Sequence, residues 1–346
     1  MQPIVDGHLD LAFSVTESGR NLELSVAEIR ALEPSGDLTT VSLPEMKRAG
    51  VAVAFATLFA LPSVTWTHPD QINPRGYSTP LEAQMQGLAQ LAVYEGWAAR
   101  GLVRIIKSVA DLEHHLELWR VDGVTGLVIL MEGADPIVAP DDLPKWWHRG
   151  VRIIATSWGK TRYAGGTESP GGLTIAGREL IAGMKSLGVI LDASHQSWEA
   201  FWESLEIGAH RVIASHSNAF ALRATTNRHL TDAMIQAIGD RDGAIGVVLF
   251  NSFLDARWSR EDRRIPVTID GQVRAHFAHI AGLIGWDKLG IGSDLDGGFG
   301  SLETPGIDTI ADLERIGLVV PDHARAGVLG ENWLNFLRRS LPASSA

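Results

Sequence analysis

The chain contains no cysteine, which excludes disulfides, thiolate metal ligands and a cysteine nucleophile, so any metal site must be built from His, Asp and Glu. No apolar run reaches membrane-spanning length. The N-terminal MQPIVDGHLD lacks the basic and apolar regions of a signal peptide, and LPASSA at the C-terminus has no hydrophobic tail for a lipid anchor. A cytoplasmic location without a membrane partner is the resulting expectation. Positive charge is also scarce: 30 basic against 41 acidic side chains leave a formal net charge of −11. With no Lys/Arg cluster, nucleic acid and anionic membrane surfaces are poor partners, whereas a small polar or cationic substrate is compatible.

What is present is core material. The 346 residues are 45% hydrophobic and 21% charged, as expected for a folded chain with a large core. Short β-branched runs recur, each followed by a longer amphipathic stretch, the pattern of βα units around a parallel sheet. Eight such runs are found: Ile4 to Val5, Val51 to Leu58, Gly126 to Met131, Val151 to Ala155, Val189 to Leu191, Val212 to Ala214, Ala244 to Leu249, and Leu289 to Ile291. Helical segments between them include Pro80 to Arg100, Ile175 to Leu187, Trp198 to Leu205, Thr231 to Ile238 and Val273 to Ile284. Eight βα units predict a closed (β/α)₈ barrel in a single domain over 1–346, with Val103 to Ile106 a candidate ninth strand. Such a barrel needs about 250 residues. The surplus is assigned to two insertions after strand ends, Pro62 to Pro80 and the glycine-rich Gly159 to Gly172, and the last helix, Asp322 to Leu337, is expected to close the barrel.

Chemistry-bearing residues collect at the same ends of these runs. In Asp6-Gly7-His8-Leu9-Asp10 an imidazole and a carboxylate stand two apart in an extended segment, so both can face one metal. Glu132 terminates the apolar run Gly126 to Met131, where a buried unpaired charge would cost several kcal/mol. It is either paired with a cation or able to bridge two metals with its two oxygens. Leu191-Asp192-Ala193-Ser194-His195 and Ala214-Ser215-His216-Ser217-Asn218 each end a strand in histidine, and Gly292-Ser293-Asp294-Leu295-Asp296-Gly297 places Asp294 beside the first strand once the barrel closes. A calcium loop there lacks its remaining acids, and a phosphate loop lacks a following helix. His68, His114, His115, His148, His210, His229, His276, His279 and His323 lie in helices or loops and are read as solvent-facing or structural.

In order and spacing, these segments resemble the membrane (renal) dipeptidases, peptidase family M19 of the amidohydrolase superfamily. The resemblance runs nearly the whole chain, including Gly330-Glu331-Asn332-Trp333-Leu334-Asn335-Phe336-Leu337-Arg338, which looks like a longer form of the family's ending. It implies two Zn²⁺ ions per chain, one on His8 and Asp10, one on His195 and His216, with Glu132 bridging both. The ions would share a water and lower its pKa, giving a hydroxide aimed at the scissile carbonyl of a dipeptide. Asp294 would be the acid/base and amine-docking residue. Arg228 would grip the substrate carboxylate, with Arg223 its nearest competitor because the match needs a one-residue shift after His216.

One departure bears on substrate. After the fourth strand the family carries a histidine that helps hold the substrate carbonyl, whereas Arg152-Ile153-Ile154-Ala155-Thr156-Ser157-Trp158 ends in tryptophan. Indole donates one hydrogen bond and takes up no proton near neutrality. Either Trp158 donates in the histidine's place, a neighbour such as Tyr163 does, or the substrate is another small amide or ester: an N-acyl amino acid, a lactam or a lactone. A catalytically silent metal-binding homologue is the remaining alternative, and a homodimer is left open.

Overall fold

Parallel pairing joins the β-branched runs into one ring of strands, seen in a computed structural model that describes residues 2–33, 39–64 and 72–344. In chain order the strands are β1 (Ile4–Leu9), β2 (Val51–Phe59), β3 (Arg104–Ile105), β4 (Gly126–Glu132), β5 (Val151–Ala155), β6 (Ala164–Gly166), β7 (Ser169–Leu173), β8 (Ile190–Asp192), β9 (Val212–Ile213), β10 (Ile245–Val247) and β11 (Leu289–Ile291). The main sheet runs β10-β11-β1-β2-β4-β5-β8-β9. A parallel bridge from Ala214 to Ile245 joins its two ends, so the eight strands form the expected α/β barrel.

The ninth run is not a barrel strand. β3 pairs only with the start of β4, Arg104 with Gly126 and Ile105 with Leu127, on the flank that β5 takes over from Ile129. The Gly159 to Gly172 insertion folds as the antiparallel hairpin β6–β7. Of the Pro62 to Pro80 insertion, residues 65–71, His68 among them, lie outside the described residues; its ends meet where Ser63 N–H donates to the Tyr77 carbonyl at 2.8 Å.

Local signals punctuate the helices. Thr79 and Glu82 form a reciprocal capping box before Pro80–Ala99, Thr174 caps Ile175–Leu187, and Ser197 caps Trp198–Ile207. Gly188 and Gly208 end the last two in the left-handed conformation that glycine adopts without a Cβ clash.

Alternation along the strands sorts the core. Val128 and Leu130 join Val5, Phe55, Ile153, Ile190 and Ile213 in an inner cluster, whereas Leu127, Ile129 and Met131 pack outward with the helices. The inner cluster also takes in Trp333 from the C-terminal helix Asn332–Ser340, so that helix closes the barrel with a side chain. The indole is fully buried, packs edge-on to Phe55 at 4.9 Å and donates from Nε1 to the Ile291 carbonyl at 3.0 Å. Gly290 accommodates it: a Cβ there would lie 2.2 Å from Trp333 Nε1.

Candidate metal centre

At the C-terminal ends of the strands, Glu132 sits between two groups of donors. Its Oε2 is 3.4 Å from His8 Nε2, and its Oε1 is 3.2 Å from His195 Nε2 and 3.7 Å from His216 Nε2. Asp10 Oδ1 and Asp294 Oδ1 lie 4.0 and 3.9 Å from His8 Nε2. Three overlapping triads have ligand atoms all within 4.8 Å of one another: His8-Asp10-Glu132, Glu132-His195-His216 and His8-His216-Asp294. The structure thus brings together all six sequence-derived residues of the centre.

Neighbouring groups fix which ring nitrogens face inward. Ser215 Oγ donates its hydrogen to Asp192 Oδ2 at 2.5 Å, so it accepts from the Nδ1–H of His216 at 2.8 Å and of His8 at 3.3 Å. Thr167 Oγ1 meets His195 Nδ1 at 2.9 Å. Each Nε2 is then left pointing into the centre, and that of His8 is buried without a hydrogen-bond partner. The His195 and His216 Nε2 atoms lie only 3.0 Å apart. Convergent imidazole nitrogens around a carboxylate, each backed by a hydroxyl, are the donor set of a divalent metal, so these residues fit one.

The electrostatics point the same way. Burial disfavours a charged His8, yet attraction to Glu132, Asp10 and Asp294 outweighs it and raises the imidazole to about 10. An acid-rich site thereby draws positive charge onto the nearest group able to carry it. Burial holds His195 down at about 4 and His216 well below its ordinary value, keeping both imidazoles neutral. Asp294 is pushed well above the usual carboxylate range, first by burial and then by Asp10 and Glu132, against the attraction of His8 and Arg228.

Two of these residues have backbones that ordinary side chains avoid. His195 has φ 68° and Asp294 has φ 60°, both left-handed. Gly297 makes room for the second: a Cβ there would lie 1.9 Å from Asp294 Oδ1. Supporting carboxylates had gone unassigned in the sequence. Asp6 accepts from the backbone N–H groups of His8 at 3.2 Å and Ser293 at 2.8 Å, tying the segment of His8 to that of Asp294. Asp192 accepts from Ser194 N–H and Ser215 N–H, both at 2.9 Å, tying the two histidine strands. The signal in the sequence is an acid two residues before His8 and three before His195. Asp296, by contrast, anchors a loop by accepting from Thr40 N–H and Thr40 Oγ1, both at 2.7 Å.

A cavity of about 410 Å³ opens onto the centre. Asp10, Glu132, His195 and Asp294 form part of its lining, together with the half-buried Trp158 and the exposed Glu168. Arg228 lies behind this surface, 2% exposed, donating from Nη1 to Ser217 Oγ at 3.0 Å and from Nη2 to the His216 carbonyl at 2.6 Å, with its Nε unpartnered. Arg223 is committed elsewhere, its Nε donating to the Ser252 carbonyl at 2.6 Å. Tyr163 does not reach the cavity: its ring is buried and its hydroxyl donates to the Ile137 carbonyl at 2.5 Å, so its hydrogen is already used.

An α/β barrel with such a donor cluster at the C-terminal strand ends defines a metal-dependent hydrolase. The model of the membrane dipeptidase family (peptidase family M19) matches residues 1–338, and the chain belongs to that family of hydrolytic metallopeptidases. Among its relatives, an uncharacterized Klebsiella pneumoniae protein encoded 5′ of pqqA is 31% identical over 277 residues, 75% of this chain and 96% of its own length. Dipeptidase aclJ of Aspergillus oryzae is 29% identical over 66% of this chain and 54% of its own. Two solved structures superpose over nearly full length. One, dipeptidase AC, a family M19 metallopeptidase, has a TM-score of 0.79 at 27% identity and covers 99% of both chains. The other, a Rhodobacter sphaeroides metallopeptidase liganded with a phosphinate mimic of L-Ala-D-Ala, has a TM-score of 0.78 at 26% identity, covering 98% of this chain and 99% of that one. Among the described residues no helix is long and apolar enough to cross a membrane.

Proposed function

We propose that the protein is a dipeptidase working with two zinc ions, one on His8 and Asp10, the other on His195 and His216, with Glu132 shared. The observation that carries this reading is the placement of Glu132, whose two oxygens address different halves of the donor cluster, 3.4 Å from His8 and 3.2 Å from His195. Two ions held there would lower the pKa of a shared water towards neutrality and polarise the scissile carbonyl.

The protein's own groups supply the rest. Asp294, its carboxyl held in a high-pKa environment at the cavity wall, takes a proton from the attacking water and passes it to the leaving nitrogen. Arg228 keeps a guanidinium charge under the cavity wall, towards which the carboxylate-bearing half of a dipeptide is drawn. Thr167, Ser215 and Asp192 hold the imidazoles in the tautomer that ligation requires.

The test is a dipeptide panel, including D-residues at the C-terminal position, offered to purified zinc-loaded protein, with metal content measured on the same sample. Cleavage with two zinc ions per chain is expected. If no dipeptide is cut while an N-acyl amino acid, lactam or lactone is hydrolysed, only the metal-hydrolase assignment survives. Trp158 motivates that second reading, because it brings an indole to the cavity where the family pattern places a histidine. Full metal content without turnover of any of these compounds would mark a silent homologue.

A further inference from the structure

Six aromatic rings line the cavity mouth, and they form two separate groups. Phe13, Phe59 and Trp158 are linked by ring contacts of 5.3 and 5.2 Å, and Trp158 approaches the ligand His195 at 6.1 Å. Phe253, Phe250 and Phe299 are linked by contacts of 5.0 and 4.7 Å. The first group rises from the ends of β1, β2 and β5, the second from the segments after β10 and β11, on neighbouring arcs of the barrel that meet where β1 pairs with β11. The Arg228 guanidinium lies 5.2 Å from the Phe253 ring, so the carboxylate-bearing half of a substrate belongs on the second side. The other half, across the scissile bond, then lies against Phe13, Phe59 and Trp158.

We propose that Phe13, Phe59 and Trp158 form the pocket for the N-terminal side chain of the substrate and select a bulky apolar residue there, with Trp158 as the specificity-determining residue. Only aromatic surface is offered by these three side chains, and among the described residues no Lys or Arg lines the cavity to receive an acidic side chain. The exposed Glu168 of the lining repels one. Burying a large apolar side chain rather than leaving it in water favours binding through the hydrophobic effect, and rings tilted against one another beside it suit an aromatic or branched group. The inference rests on the dipeptidase reading and deepens it by naming the substrate class.

The experiment measures kcat/KM of zinc-loaded protein on a series X-Ala, in both L and D forms of the alanine, with X as Gly, Ala, Leu, Phe and Glu. The Phe and Leu members should exceed Gly by roughly tenfold to a hundredfold, with Glu lowest. Trp158→Ala should collapse the Phe-to-Gly ratio towards one, while Trp158→Phe keeps most of it. A purely structural role would lower all substrates alike and leave the ratio unchanged. Cleavage of the series without an apolar preference overturns the pocket and spares the dipeptidase assignment. If no member is cleaved, that assignment fails. Calorimetric titration with phosphinate mimics bearing Phe or Gly at the N-terminal position then decides the pocket: tighter binding of the Phe mimic, lost in Trp158→Ala, supports it, and equal or absent binding overturns it.

Discussion

His195 and His216 point their Nε2 atoms at each other across 3.0 Å while hydroxyls of Thr167 and Ser215 hold their Nδ1 positions. Two neutral imidazoles so arranged aim lone pairs at one point, and a cation between them relieves the repulsion. Zinc added to chelator-treated protein should therefore raise the melting temperature by several degrees, because binding to the folded state at a thousandfold excess over Kd contributes about 4 kcal/mol. Saturation at two ions per chain is expected, and His216→Ala should lose one. An unchanged melting temperature with no metal uptake would refute the ligand set.

The two hydroxyls act on different parts of the site. Ser215 Oγ serves both His8 and His216 and is held by Asp192, whereas Thr167 Oγ1 serves His195 alone. Loss of such an orienting partner typically weakens metal affinity 10- to 100-fold. Ser215→Ala should weaken both metal-binding steps in a competitive chelator titration, and Thr167→Val only one. Identical effects of the two variants would show that the hydroxyls do not divide the site in this way.

Asp294 stands as close to His8 as Asp10 does, yet the proposed mechanism gives it proton transfer rather than ligation. Its Oδ1 stands 3.9 Å from His8 Nε2, and its carboxyl lines the cavity in an environment that favours the protonated form. General acid/base groups contribute typically 10²- to 10⁴-fold. Asp294→Asn should lower kcat by that order with metal content intact. Loss of a metal ion in the same variant would make Asp294 a ligand instead.

The barrel and its donor set were legible because both follow from strand periodicity. An apolar run ending in an acid or histidine puts that side chain at the strand end, and closure of the ring then gathers Glu132, His195, His216 and Asp294 at one mouth. Short runs misled where length was the only cue: Val103 to Ile106 pairs as β3 yet stays out of the ring because β5 takes its flank. What spacing could not reveal comes from elements distant in sequence. Thr167 reaches His195 from the tip of the β6–β7 hairpin, and Trp333 enters the barrel from its last helix. The left-handed backbones of His195 and Asp294 belong to the same class, since nothing in the residue types announces them. Tyr163 lies away from the cavity because its neighbour Arg162 folds onto Asp135 and draws that segment back against the Ile137 and Val138 carbonyls.

Histidines away from the metal centre set an acid limit. His115 Nε2–H donates to the Ala52 carbonyl at 2.8 Å while its Nδ1 is buried without a partner, and His276 Nδ1 accepts from Ala219 N–H at 3.2 Å. Protonation would strand a charge in the core in the first case and break that bond in the second. Burial accordingly holds both at about 4, against 6.5 when unfolded. Between these values the unfolded chain binds more protons, so stability is fully present above pH 6.5 and is lost as pH falls towards 4. The loss is of order 3 kcal/mol per histidine. Urea denaturation across that window should show the decline, and His115→Gln should make it shallower. A slope unaltered by the substitution would mean that His115 is not among the groups responsible.

Trp333 ties the end of the chain to the floor of the site. Its indole fills the barrel beneath the metal residues, meets Phe55 at 4.9 Å, and donates to the carbonyl of Ile291, three residues before Asp294. Truncating a buried tryptophan costs about 3–5 kcal/mol through lost burial and the cavity left behind. Trp333→Ala should lower stability by that amount in urea denaturation. Gly290→Ala attacks the same contact from the other side, since its Cβ would lie 2.2 Å from Trp333 Nε1 and 2.5 Å from the adjacent ring carbon, so the indole must shift. Each single change should therefore destabilise. The double variant should be less destabilised than the sum, because the alanine methyl occupies space that the missing indole vacates. Strict additivity in this cycle would show that Gly290 is not glycine on account of Trp333.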